Sequence, residues 1–134
     1  MSIIDTNVLI YDTFENLKMH EEAKRILDSL SEWYVPSIVL IEFIAFLNKS
    51  GLKKREILAK IDELLSHPKF NLVRIEREDV FNSIRFIRKE NLSPLRINDK
   101  MLLSICLRLE KTLITFDRSL MVQFEKLRKG SKKI

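Results

Sequence analysis

Glycine is almost missing from this chain: only Gly51 and Gly130 occur among 134 residues, beside three prolines, one cysteine and two histidines. Each scarcity removes a class of chemistry. Without glycine-rich turns there is no phosphate-cradling loop of the kind that opens nucleotide-binding helices. With so few glycines and prolines there is little room for long loops or low-complexity linkers. The lone Cys106, set in the apolar run "LLSICLRL", has no intrachain partner and is expected in the core of a protein kept in a reducing, cytoplasmic setting. His20 and His67 lie in separate helical segments without metal-ligand spacing. They are expected at the surface, so zinc chemistry and a Ser–His–Asp triad find no support. No stretch reaches the ~18–20 apolar residues of a membrane span, and no basic segment followed by an apolar one opens the chain.

What is present describes a soluble globular protein, 46% hydrophobic and 32% charged, long enough to bury one core without disulfides or metals as staples. Lys and Arg outnumber Asp and Glu by 24 to 19, a net charge of +5. That balance is compatible with a nucleic-acid partner without requiring one.

Strand-like and helix-like patterns alternate. "SIID" (2–5) reads as a short buried strand, and after a turn near Asp12 the segment "NLKMHEEAKRILDSL" has helical apolar spacing. "EWYVP" (32–36) is a second strand, after which Ser37 is expected to cap the helix "IVLIEFIAFLNKSG" and Gly51 to end it. "KKREILAKIDELLSHP" is amphipathic, "FNLVRI" (70–75) is a third strand, and "EREDVFNSIRFIRKENL" is a helix with acids at its start and bases at its end. "INDKMLLSICLRLE" is a further helix, followed by the strand "TLITF", a last helix around 118–129 and a basic, frayed tail. Apolar strands alternating with helices imply an α/β fold: a parallel sheet covered by helices on both sides, in a single domain over 1–130 with the tail at 131–134. In open sheets of this kind, sites form beyond the carboxyl ends of the strands.

Four carboxylates stand where such a sheet would bury them. Asp5 ends the first strand and Asp117 ends "TLITFD" in the same way. Each is equally well read as a cap or turn residue, because strand-to-helix junctions favour aspartate. Glu42 is the sole charge in "IVLIEFIAFL". A helix apolar all round is expected to be buried, and an ionised carboxylate inside it costs several kcal/mol unless compensated. A salt bridge, a protonated side chain or a metal ion would each compensate it. Asp99 opens the helix that feeds the last strand, where capping by Asn98 or Asp99 is the ordinary explanation. Together, four acids directed at one sheet edge would suit a hard divalent cation, which prefers oxygen ligands.

In "IIDTNVLI", "IVLIEFIAFL", "INDKMLLSICLRL" and "LITFDRSL", the chain resembles PIN-domain ribonucleases, and most of all the small VapC-like toxins of toxin–antitoxin pairs. The resemblance runs in order along nearly the whole chain. It implies a Rossmann-like three-layer α/β/α sandwich with a central four- or five-stranded parallel sheet. It also implies one or two Mg²⁺ or Mn²⁺ ions on Asp5, Glu42, Asp99 and Asp117, with Thr6, Asn7 and Thr115 orienting them. The activity it implies is metal-dependent endonucleolytic RNA cleavage, with a homodimer and a small antitoxin as partners. Ser119 departs from the pattern, because many members carry a further acid there, which bears on a second metal. Arg96, Lys100 and Arg118 flank the acids and are candidates for contact with RNA phosphates. Two other readings compete: a catalytically inert RNA- or protein-binding module on the same fold, and a phosphatase with an aspartyl nucleophile, which would want a second acid where Asn7 stands.

Overall fold

The computed structural model describes residues 1–132 and places four short strands in one parallel sheet of order β3–β2–β1–β4: β1 Ser2–Ile4, β2 Trp33–Pro36, β3 Phe70–Val73 and β4 Thr112–Ile114. Of the two strand counts the sequence leaves open, four is the one found among the described residues. β1 is buried at all three positions, and its register (Ile3 beside Leu113 on β4 and Tyr34 on β2) puts it in the centre. From β1 the chain runs outward through β2 to β3, then crosses back to add β4 on the other side. The connections therefore change direction at β1, and the switch point faces the segments that follow β1 and β4.

Among the described residues seven helices cover the sheet: α1 Thr6–Thr13, α2 His20–Ser29, α3 Ser37–Lys49, α4 Lys54–Ser66, α5 Arg77–Lys89, α6 Ile97–Leu109 and α7 Arg118–Lys132, with a single 3₁₀ turn at Pro94–Arg96. α1 packs on α2 and α3, and α3 on α4, while α5 packs on α6 and α6 on α7. These two groups enclose a core of Ile3, Ile4, Val35, Phe43, Leu103, Leu113 and Phe124. Among the described residues no helix is long and apolar enough to cross a membrane.

Several details differ from the sequence reading. α1 occupies "TNVLIYDT", where only a turn is expected. Its β-branched Thr6, Val8, Ile10 and Thr13 are weak helix formers, and burial of Val8 and Leu9 outweighs that preference. Ser37 is the first helical residue of α3 and not its cap; Pro36 takes the cap position and makes no side-chain bond. α3 is not buried all round, since Ile41 is 64% exposed. α7, with buried Leu120 and Phe124, continues to Lys132 and so takes in the first two residues of the expected tail at 131–134, while residues 133 and 134 lie outside the described residues. Neither histidine is a free surface residue. His20 Nδ1 bonds the Tyr11 carbonyl at 2.8 Å, and His67 stacks on Trp33 with ring centroids 4.2 Å apart. Cys106 is buried, as expected.

Candidate metal centre

The four acids occupy the edge at which the sheet's direction switches. Asp5 follows β1 directly and is the N-cap of α1, its Oδ1 accepting the Thr6 N–H at 2.7 Å. Asp117 follows the β4 segment and accepts the Leu120 N–H through Oδ1 at 3.1 Å, in the first turn of α7. The capping and the functional explanations are therefore compatible, because each cap uses one oxygen and a carboxylate keeps lone pairs for further partners. Asp99 is not the cap: Arg96 takes the cap position of α6 and makes no side-chain bond, and Asp99 is the third helical residue, in the first turn and half-buried. Among the described residues Glu42 forms no salt bridge. Its Oε1 accepts the Thr6 hydroxyl at 3.0 Å, which links α3 to the start of α1.

Around these carboxylates runs a net of neutral donors. The Thr115 hydroxyl donates to Asp5 Oδ2 at 2.7 Å and accepts both the Asp117 N–H at 3.0 Å and Asn7 Nδ2 at 3.1 Å. Asn7 Oδ1 in turn accepts the Phe116 N–H at 3.1 Å, latching the first turn of α1 to the segment leaving β4. Thr6, Asn7 and Thr115 thus all lie against the acids.

Burial pushes the Asp5 carboxyl above the ordinary aspartate range. Its bonds from Thr115 and Thr6 pull it down, and the charges of Glu42 and Asp99 push it up further. Asp99 is raised for the same first reason, burial, and next by the charge of Asp117. Asp5 is thus coupled to Glu42 and to Asp99, and Asp99 to Asp117, and among the described residues none of the four forms a salt bridge. As placed, they do not make a closed cage: among the described residues no three Asp, Glu, His or Cys side chains are grouped tightly enough to hold an ion by themselves. The donor set nevertheless fits a magnesium-like cation. It is all oxygen, carries negative charge that no salt bridge among the described residues neutralises, and need supply only one or two carboxylates because Mg²⁺ retains much of its water.

The flanking cations separate. Arg96 and Arg118 are exposed beside Asp99 and Asp117. Lys100 is not a free surface cation as the sequence reading expects; its side chain is 3% exposed and its ammonium is held by Glu90 and Gln123. Another buried charge was hidden in the sequence. Asp79 reads as an ordinary first-turn acid of α5, yet it is fully buried, accepting from Arg108 Nη2 at 2.9 Å, Ser104 Oγ at 2.8 Å and the Glu76 N–H at 2.9 Å. It pins α5 to α6 and lies outside the group of four.

Three solved structures share this architecture. VapC20 of Mycobacterium tuberculosis, described as a toxin that cleaves the sarcin–ricin loop, superposes with a TM-score of 0.79 at 15% identity, covering 92% of this chain and 95% of its own. FitAcB from Neisseria gonorrhoeae gives 0.71 at 16% identity, covering 93% and 94%. VapBC2 from Rickettsia felis, bound to a DNA fragment from its promoter, gives 0.65 at 20% identity, covering 93% and 91%. At these identities the likeness is one of fold. Comparison with curated proteins finds no match. The family model for the PIN domain matches residues 2–127, nearly the full sheet-and-helix arrangement, and the chain belongs to the PIN-domain family.

Proposed function

We propose that this protein is a Mg²⁺- or Mn²⁺-dependent endoribonuclease, the toxin of a type II toxin–antitoxin pair, working in the cytoplasm. The observation that carries the reading is the electrostatic linkage of Asp5 with Glu42 and Asp99, and of Asp99 with Asp117, with no salt bridge among the described residues to compensate it. Crowded carboxylates are costly without a cation, and this family membership gives a reason to retain them.

In this reading Asp5, Glu42, Asp99 and Asp117 hold one or two ions, directly or through water. What such a cation supplies is a lower pKa for the attacking water and neutralisation of charge at the phosphorus. Thr115 and Asn7 fix Asp5, and Thr6 fixes Glu42. Asp99 or Asp117 orients the water and accepts its proton. The new bond forms from the water oxygen to phosphorus, the bond to the 3′ oxygen breaks, and that oxygen takes a proton from solvent water as the carboxylic acid returns its own to solvent. The products carry 5′-phosphate and 3′-hydroxyl ends. Arg96 and Arg118, exposed at the rim, meet substrate phosphates. The exposed apolar side chains Ile41 and Phe46 on α3, with Phe81 and Ile84 on α5, offer surface for a second copy and for an antitoxin.

The test is cleavage of single-stranded and structured RNA with Mg²⁺, Mn²⁺ or EDTA, comparing wild type with Asp5→Asn and Asp99→Asn. Cleavage that needs metal and collapses in both folded variants is expected. Equal cleavage in the variants would mark a contaminating nuclease and remove the reading, and RNA binding without cleavage would favour the inert binding module. The phosphatase reading is disfavoured by Asn7, whose amide is engaged with Thr115 and Phe116 and cannot supply a proton as an acid would.

A further inference from the structure

A lysine ammonium is almost never taken out of water unless it is paired. Lys100 is one such case, and its partners lie on two other helices. Its Nζ meets Glu90 Oε2 at 2.5 Å, just beyond the end of α5, and Gln123 Oε1 at 2.7 Å on α7. Because an ammonium can only donate, it fixes the Gln123 amide with its oxygen inward. The amide nitrogen then faces the first turn of α7 and donates to Ser119 Oγ at 3.3 Å. In sequence, Lys100 follows Asp99 and Ser119 lies two residues after Asp117. One buried cation thus connects the start of α6, which bears Asp99, with the start of α7, which follows Asp117. Arg96, Asp99, Lys100, Ser119 and Gln123 line the same cleft of about 330 Å³.

We infer that Lys100 is a positioning residue for the candidate metal centre: acting through Gln123 and Ser119, it sets the spacing between the Asp99 and Asp117 helix starts, while Glu90 balances its charge. The inference rests on the metal-centre reading above. Its physical need is plain, since two carboxylates of like charge push the helices that carry them apart, and a buried polar tie resists that push. Glu90 matters because an unbalanced cation beside the acids would oppose a second cation at the site.

Charge and position make opposite predictions here, which makes the inference testable. The experiment is calorimetric titration of Mn²⁺ into metal-stripped wild type, Gln123→Met and Lys100→Met, with melting temperatures recorded in EDTA. Gln123→Met removes the tie without changing charge; it is expected to weaken Mn²⁺ binding about tenfold, with the melting point in EDTA moving by no more than about 2 °C. Lys100→Met removes a cation, so Coulomb's law alone would tighten Mn²⁺ binding; weaker binding is expected instead. If Lys100→Met fails to fold, the Gln123→Met result decides alone. Unchanged affinity in Gln123→Met, or tighter binding in folded Lys100→Met, overturns the role given to Lys100 while leaving the metal centre standing. A folded wild type that binds no Mn²⁺ overturns the metal centre and this inference with it.

Discussion

The Thr115 hydroxyl donates to Asp5 Oδ2 over 2.7 Å while accepting the Asp117 N–H over 3.0 Å, so one small side chain ties the acid that follows β1 to the acid that follows β4. With Asn7 as a third partner, its donor and both acceptor sites are used. Thr115→Val keeps the shape and removes all three bonds. The expected outcome is a folded protein whose metal-dependent cleavage falls by about 10–100-fold, measured as kcat/KM on a fixed RNA. Wild-type kinetics in Thr115→Val would show that the net does not orient the acids.

The half-buried Asp99 gives a pH signature in metal-free buffer. Its carboxyl is raised by burial and by Asp117, above an ordinary value of 3.8. A raised acid holds its proton more tightly when folded, so its contribution to stability declines as pH rises above 3.8. Asp99→Asn removes that decline. In EDTA at neutral pH the variant should melt higher than wild type by about 1–2 °C, a small gain because solvent screens a half-exposed group. The difference should vanish as pH is lowered below the ordinary aspartate value. A variant that melts lower than wild type at neutral pH would identify Asp99 as a structural residue instead.

Burial, and secondarily the charge of Asp5, pushes the Cys106 thiol up to about 12. The thiolate is the reactive form, so iodoacetamide at pH 8 should leave the native protein unlabelled and modify it at once in denaturant. Fast labelling of the folded protein would mean that α6 opens beside the acids.

Arg108 and Asp79 form the buried tie between α5 and α6. Arg108→Met strands a fully buried carboxylate, and the cost by urea unfolding should be about 3 kcal/mol, the lower end of the range for broken buried pairs because Arg108 keeps some contact with water. A loss below about 0.5 kcal/mol, as for ordinary surface substitutions, would contradict the role of this pair.

The strands and the acids that follow them were legible because a charge at the end of an apolar run is rare, and Asp5 and Asp117 each interrupt one. The parallel sheet followed from strands apolar on both faces. α1 was not legible, since its β-branched residues argue against the helix that burial of Val8 and Leu9 imposes. Lys100 and Asp79 were hidden for a different reason. Each has the sequence context of a solvated helix-start charge, and only partners 23 and 29 residues further along, Gln123 and Arg108, reveal that it is buried. Glu42 was legible as an anomaly, but its partner was not: Thr6 lies 36 residues away and carries no charge.

The most direct measurement is the anomalous difference map of a crystal soaked in Mn²⁺. A peak among Asp5, Glu42, Asp99 and Asp117, within coordination distance of a carboxylate oxygen or a bridging water, is the predicted result. Full occupancy of Mn²⁺ elsewhere on the chain, with no peak among these four side chains, would contradict it.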